Sequence, residues 1–386
     1  MKNSKHSTIY YVLFAVLILI TTIYILFVYK KEYLKIFVVY YKPAPIIKTE
    51  IFEPIQAGRS ISTTPSRAGT FTQEEINWLK TNMIGDDTFD NISHLNRHFA
   101  EITALYWIYK NTSSPYVGMF QYRRYLSINP LSIYPYITYP SMRFRHLGIN
   151  HLKGFSKDFL TNLELEKKII LPWFATHDIL VAEPIKLNTY EQYKEAHYIK
   201  DLDIALNIIK QKYPHMYDFA VQNLNSDEGF YPSNLFITKR EILNNYASWL
   251  FSIIFPVYEE IKDDLKNRPT EQQFAIAYLT ERLFTIYLRY QQKHNGLLIK
   301  EFPFALASDF FLPPQNTQYL VLDFGSFEDS FIKHPKKTDI ICGFNNPTYH
   351  CGKFEFQKNN RLKIKWHQKN TTYFTHIKDN IFKLEN

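Results

Sequence analysis

The hydrophobic and polar positions of the chain change period several times, and each change predicts an element. Residues 34–41 are apolar at nearly every position and close on Lys42-Pro43-Ala44-Pro45, which predicts a buried β-strand. Residues 73–82 and 99–110 predict helices, the second with Ile102, Leu105, Tyr106 and Tyr109 along one face. A short apolar run at 116–120 predicts a strand that leads directly into Gln121-Tyr122-Arg123-Arg124-Tyr125. Further strands are expected at 178–182 and 234–238, and helices at 201–213, 239–263 and 272–290. Strands alternating with helices predict an α/β layered domain with a substantially parallel sheet. The stretch 127–170, rich in Tyr, Pro and Ile, breaks this rhythm and reads as an inserted or lid-like segment. From 301 to 386 short alternating runs take over, among them 319–322 and 361–366, and predict a β-rich appendage.

One block stands apart. Thr8 to Tyr29 is 22 residues without a charge. As a helix it would span roughly 33 Å, enough to cross the hydrocarbon core of a bilayer. Tyr10, Tyr11, Tyr24 and Tyr29 lie near its ends, where aromatic side chains favour the interface. The run is longer than a signal-peptide core, and Leu26-Phe27-Val28-Tyr29 lacks the small residues of a cleavage site. The expected organisation is therefore a short basic N-terminus at 1–7, a transmembrane anchor at 8–29, a globular domain at 34–300 and the appendage at 301–386. Lys2 and Lys5 precede the span while Lys30, Lys31 and Lys35 follow it, so flanking charge alone does not orient it.

Composition narrows the function classes. With 46% hydrophobic and 17% aromatic residues, the 386-residue chain is neither a disordered tail nor a fibre. Two cysteines, Cys342 and Cys351, make no disulfide framework. The net charge of +8 first points to nucleic acid, but residues 331–386 hold eleven Lys/Arg against four acids. The body is nearly neutral, and nucleic-acid binding loses its main support. In 361–366 Arg361, Lys363 and Lys365 share one strand face, an arrangement that suits anionic lipid headgroups.

Two clusters carry candidate chemistry. Arg123-Arg124, just past a buried strand, places two guanidinium forks where open α/β sheets bind ligands. Such a pair suits a diphosphate, with a salt-bridged structural pair as the alternative. The loop 85–93 gathers Asp86, Asp87, Asp90 and Asn91, which could bind ribose hydroxyls, a sugar or a metal, or cap the next helix. There is no Gly-x-Gly-x-x-Gly, P-loop, Gly-x-Ser-x-Gly or Cys-x-x-Cys motif. His334, Cys342, His350 and Cys351 are spaced too irregularly for a zinc site.

Several blocks occur together in the order of a known family. They are Gly85-Asp86-Asp87-Thr88 through Asp90-Asn91-Ile92-Ser93, Glu101-Ile102-Thr103-Ala104-Leu105-Tyr106-Trp107, and Gly118 through Gln121-Tyr122-Arg123-Arg124-Tyr125. Tyr41-Lys42-Pro43, His177-Asp178-Ile179-Leu180, His197 to Leu202, Asn234-Leu235-Phe236-Ile237 and Glu281-Arg282-Leu283 complete the set. Over about 34–292 the chain resembles DUF4422, a family of bacterial capsular and exopolysaccharide glycosyltransferases. The resemblance implies a GT-A-like fold, a Rossmann-type mixed sheet flanked by helices, and transfer of a hexose from a nucleotide sugar. UDP-galactofuranose is a candidate donor, and the acceptor is a lipid-linked or growing capsule, exopolysaccharide or LPS glycan.

On that reading Tyr122, Arg123 and Arg124 hold the donor diphosphate. Tyr41, Lys42, Asp86, Asp87, Asp90 and Asn91 bind nucleotide or sugar, and Asn234, Glu281 and Arg282 line the acceptor side. An inverting transfer needs a carboxylate base, for which Asp227, Glu228 and Asp178 are the candidates. No Asp-x-Asp metal motif follows the 116–120 strand, so the arginine pair is expected to neutralise the leaving diphosphate, with the acidic loop keeping a divalent metal open. Gln121 stands where the family usually has His and Phe89 where it often has Gly, a change expected to narrow the donor pocket. Cytoplasmic nucleotide sugars then place the chain in the inner membrane, single-pass, with its catalytic domain facing the cytoplasm. The second reading is a non-catalytic scaffold or nucleotide-sugar-binding subunit working with other polysaccharide assembly proteins.

Overall fold

The computed structural model describes residues 33–65, 69–128, 145–146, 149–153, 160 and 163–308, together with strand segments between 310 and 384. The expected anchor at 8–29 lies outside the described residues, as does much of the 127–170 insertion. Among the described residues no helix is long and apolar enough to cross a membrane.

β1 (Leu34–Tyr40) sits centrally because it is apolar on both faces. Leu34, Ile36, Val38 and Tyr40 enter one core cluster, while Phe37 and Val39 enter the other. It pairs in parallel with β2 (Phe52–Gln56), which pairs in parallel with β3 (Ile84–Gly85). On its other side β1 runs parallel to β4 (Tyr116–Gln121). The rest of the eleven-stranded sheet is β5 (Arg124–Leu126), β6 (Arg145–His146), β7 (Ile149–Lys153), β8 (Ile179–Ala182), β9 (Phe236–Lys239), β10 (Ile299–Phe302) and β11 (Phe304–Ser308). β9 is antiparallel to β4, and β8 antiparallel to β9. The sheet is therefore mixed rather than substantially parallel, with a parallel β3-β2-β1-β4 half.

The helices Ile102–Asn111, Ile199–Lys212, Arg240–Leu265 and Ala275–Asn295 cover the Phe37/Val39 face with Leu105, Leu202, Leu250 and Leu283, all buried. Each such side chain contributes about 1.5–3 kcal/mol by leaving water. The Gln73–Asn82 helix starts on a capping box: Glu75 N–H donates to the Thr72 hydroxyl and Thr72 N–H to the Glu75 carboxylate.

The carboxyl-terminal boundary departs from expectation. β10 and β11 belong to the main sheet, where β11 pairs with β5 (Leu306↔Arg124). The segments Phe310–Phe311, Tyr319–Leu322, Ile340–Asn345, Thr348–Gln357, Arg361–Trp366, Thr371–Lys378 and Ile381–Leu384 close into a separate barrel.

Candidate active site

β1, β2 and β4 end side by side, in register at Tyr40↔Gln56 and Val39↔Gln121. Beyond their carboxyl ends opens a cleft of about 470 Å³. Loops leaving parallel strands at this edge are where α/β sheets hold ligands. Tyr41, Gln56, Gly58, the turn Gln121–Arg124, Glu101, Ser233, Tyr278 and Glu281 border it.

One buried carboxylate builds two of the walls. Asp86, 0% exposed after β3, accepts hydrogen bonds from Gly58 N at 2.8 Å and Arg59 N at 3.1 Å. It also accepts from Ser93 Oγ and Thr103 Oγ1, both at 2.5 Å. Burial pushes its carboxyl above the usual range, and these four donors pull it part of the way back. Gly58 has φ 70°, and a Cβ there would strike the Asn96 side chain. Asn96 Nδ2 in turn donates to Ala100 O at 2.7 Å and Thr103 Oγ1 at 3.0 Å. That holds Ala100 at φ 44°, ψ −125°, a break just before the Ile102–Asn111 helix that carries Glu101 to the cleft.

Positive charge collects on one side. Arg124 Nη1 donates to Gln121 Oε1, and Gln121 Nε2 to Ser233 O at 3.1 Å. Burial and then the like charge of Arg123 lower the proton affinity of Arg124, a conflict that a bound anion relieves. The Arg123 guanidinium lies 5.7 Å from the Tyr122 ring centre, and Lys42 Nζ lies 5.6 and 5.9 Å from those of Tyr41 and Tyr122.

Negative charge collects opposite. Glu281 Oε1 accepts from Ser233 N at 2.7 Å, and its Oε2 from Arg282 Nη1 at 2.8 Å. Ser233 and Asn234 are successive residues with φ 66° and 51°, a conformation that costs on the order of 1–3 kcal/mol per residue. Asn234 Nδ2 donates to Glu101 Oε1 at 3.1 Å and Thr280 Oγ1 at 3.2 Å. Burial, with the Glu281 charge adding to it, pushes the Glu101 carboxyl up to about 7. Among the described residues, no three His, Cys, Asp or Glu side chains converge into a group able to hold a metal.

The family model for DUF4422, a domain of unknown function, matches residues 35–293 and so encloses every wall of this cleft. The chain belongs to the DUF4422 family. No functionally curated protein matches it. Among solved structures, the apo structure of WbbM, a bifunctional glycosyltransferase, matches at TM-score 0.60 and 26% identity over 74% of this chain. The match covers 48% of that protein, about half its length. The mixed sheet with flanking helices is thus a glycosyltransferase-like fold.

In this DUF4422 domain Tyr41, Tyr122, Arg123, Arg124 and Glu281 border one cleft, with Lys42 and Asn234 packed beside it. Arg282, 2% exposed, lies behind Glu281 and bonds Gln192 Oε1. The remaining candidates need correction. Asp178 lies at the opposite sheet edge, ion-paired to Lys239 at 2.6 Å, because β8 runs antiparallel to β9. Asp227 and Glu228 are exposed in the loop after the Pro214–Leu224 helix, Glu228 against Arg289 at 3.2 Å, and neither borders the cleft. Asp86 supports the walls from beneath. Asp87 does not border the cleft, Asp90 accepts from Tyr106 Oη at 3.0 Å, and Asn91 caps its own turn through Ser93 N at 3.2 Å. Phe89, 84% exposed at φ 51°, does not border the cleft and so does not narrow it.

Three site residues escaped the sequence reading. Glu101 opens the Glu101–Trp107 block, but nothing local separates it from an ordinary carboxylate starting a helix. Gly58 carries no local signal, because the strand that ends just before it, β2, is itself masked by Pro54. Gln121 stands in the sequence as a departure from the family pattern, and the structure uses it to tie Arg124 to the Ser233 turn.

Proposed function

We propose that this chain is a glycosyltransferase that moves a hexose, galactofuranose or galactose among the candidates, from a UDP-sugar to a glycan acceptor. The observation that carries the reading is the paired Arg123 and Arg124 in a cleft at the carboxyl ends of three parallel strands. A cleft of about 470 Å³ has the size of a small-molecule site. The arginines supply fixed positive charge for a leaving diphosphate, the electrostatic stabilisation that charge separation requires. Tyr41 and the Gln56–Gly58 turn form the wall for the nucleoside, and Glu281 and Tyr278 the side open to the acceptor. The apolar 8–29 segment supports an inner-membrane anchor, and use of a cytoplasmic nucleotide sugar puts the domain on the cytoplasmic side, close to a lipid-linked capsule or exopolysaccharide acceptor.

Titration calorimetry of the full-length protein in detergent against UDP-hexoses tests this, paired with measurement of UDP release. Binding without any turnover would favour the scaffold reading instead. With the arginines neutralising the diphosphate, activity is expected to persist in excess EDTA. Loss of activity restored by Mn²⁺ or Mg²⁺ would replace that role with a metal.

A further inference from the structure

Glu101 and Glu281 both border the cleft, but they are differently committed. Glu281 spends its two oxygens on Ser233 N and Arg282 Nη1. Glu101 is held by Asn234 Nδ2 and by its own backbone N–H, with no ion pair of its own among the described residues. Three of the five non-glycine residues with left-handed backbone among the described ones surround it: Ala100 immediately before it, and Ser233 and Asn234 facing it. Strain of this kind persists where surrounding structure over-determines a geometry, and here the geometry aims one carboxylate at a cleft.

We propose that Glu101 is the general base of the transfer reaction, taking the acceptor hydroxyl proton, with Asn234 as its positioning residue; this rests on the transferase reading above. The acceptor oxygen forms its bond to the anomeric carbon as the bond from that carbon to the diphosphate oxygen breaks. The electron pair leaves with the nucleoside diphosphate, the proton passes to a Glu101 carboxylate oxygen, and Arg123 and Arg124 face the charge gained by the leaving group. The surroundings suit the task. Burial first, then Glu281, raises the carboxyl to about 7, while its own backbone N–H, the Asn234 hydrogen bond and Arg124 hold it back, and Tyr246 also faces it. A base of that affinity is partly ionised at neutral pH and still holds a proton well.

The test uses the full-length protein, a panel of UDP-hexoses, and water as the acceptor. Glu101→Gln should keep donor affinity within about threefold while turnover falls ~10²–10⁴-fold, and the rise in rate through about pH 7 should vanish. Glu101→Asp should retain part of the rate. Turnover of the Gln variant close to wild type, or donor affinity falling as far as the rate, would overturn the assignment and leave the transferase reading standing. A wild type that neither binds nor cleaves any UDP-hexose removes that reading and the base with it. Thermal unfolding gives a readout without substrate. A carboxyl that binds its proton more tightly when folded destabilises the native state once ionised, so stability is lost as pH rises through about 7. Glu101→Gln should therefore melt above wild type at pH 8, with the gap closing toward pH 5; a lower melting temperature at pH 8 would count against the proposal.

Discussion

The two edges of the central sheet treat a carboxylate in opposite ways. At the amino-terminal edge of β4, Asp178 meets Lys239 Nζ at 2.6 Å and Leu298 N at 3.0 Å. Burial alone would raise its carboxyl, but those two hydrogen bonds outweigh it and hold the group below its usual range. At the carboxyl edge Glu101 faces Glu281, and its proton affinity climbs to about 7. Arg123 sits beside Arg124 at this edge, with Glu101 and Glu281 close enough to act on Arg124. A sheet edge whose charges cancel is finished as structure. One that sets two guanidinium groups side by side and two carboxylates near each other shifts their proton affinities, as ligand-binding sites do.

The strongest way to break that contrast, after Glu101 itself, is to remove a guanidinium. Arg124→Ala should weaken UDP-hexose binding by roughly 10–100-fold, the worth of a lost charge-assisted hydrogen bond, with calorimetry as the measurement. Arg124→Lys should recover only part of this, because a point charge replaces the fork. Next comes the support beneath the cleft. Asp86→Ala strands the Gly58 and Arg59 N–H groups and two hydroxyls, and denaturant unfolding should show a loss on the order of 3 kcal/mol. Donor affinity should fall with it, since the same carboxylate holds both the Gly58 wall and, through Thr103 and Asn96, the Ala100 break.

The smallest effect belongs to the other edge. A depressed carboxyl contributes stability above its unfolded-state pKa and loses it as pH falls through the folded value. Asp178→Asn should therefore cost at most about 1 kcal/mol at pH 7, less as pH falls through the folded value, and leave UDP release unchanged. A large loss of activity from this variant would erase the distinction between the two edges.

Much of the fold was legible as periodicity. The strands at 34–41 and 116–120 and the helices at 73–82, 201–213 and 239–263 appear within a few residues of their expected places. β2 was hidden because Pro54 interrupts its pattern, although the sheet tolerates it opposite Val38. The helix expected from 99 begins at Ile102, since the chain breaks at Ala100. Alanine is the strongest helix former, so its neighbours in sequence carry no hint of that break. Yet the break is what delivers Glu101. The acidic loop at 85–93 misled in the other direction: Asp86 looks like a ligand-binding group and is fully occupied with backbone and hydroxyl donors.

By itself the sequence determined the elements, the DUF4422 membership and the place of Arg123-Arg124 after a buried strand, because each is written in local order. Which carboxylate is poised for chemistry was decided only by the tertiary structure. Asp178 and Glu101 are the same chemical class, and their opposite shifts in proton affinity follow from neighbours far away in the chain. Asn234 reaches Glu101 across 133 positions. Glu281, which raises the Glu101 affinity, is more distant still. Burial and charge act through space, and no pattern along the chain records them.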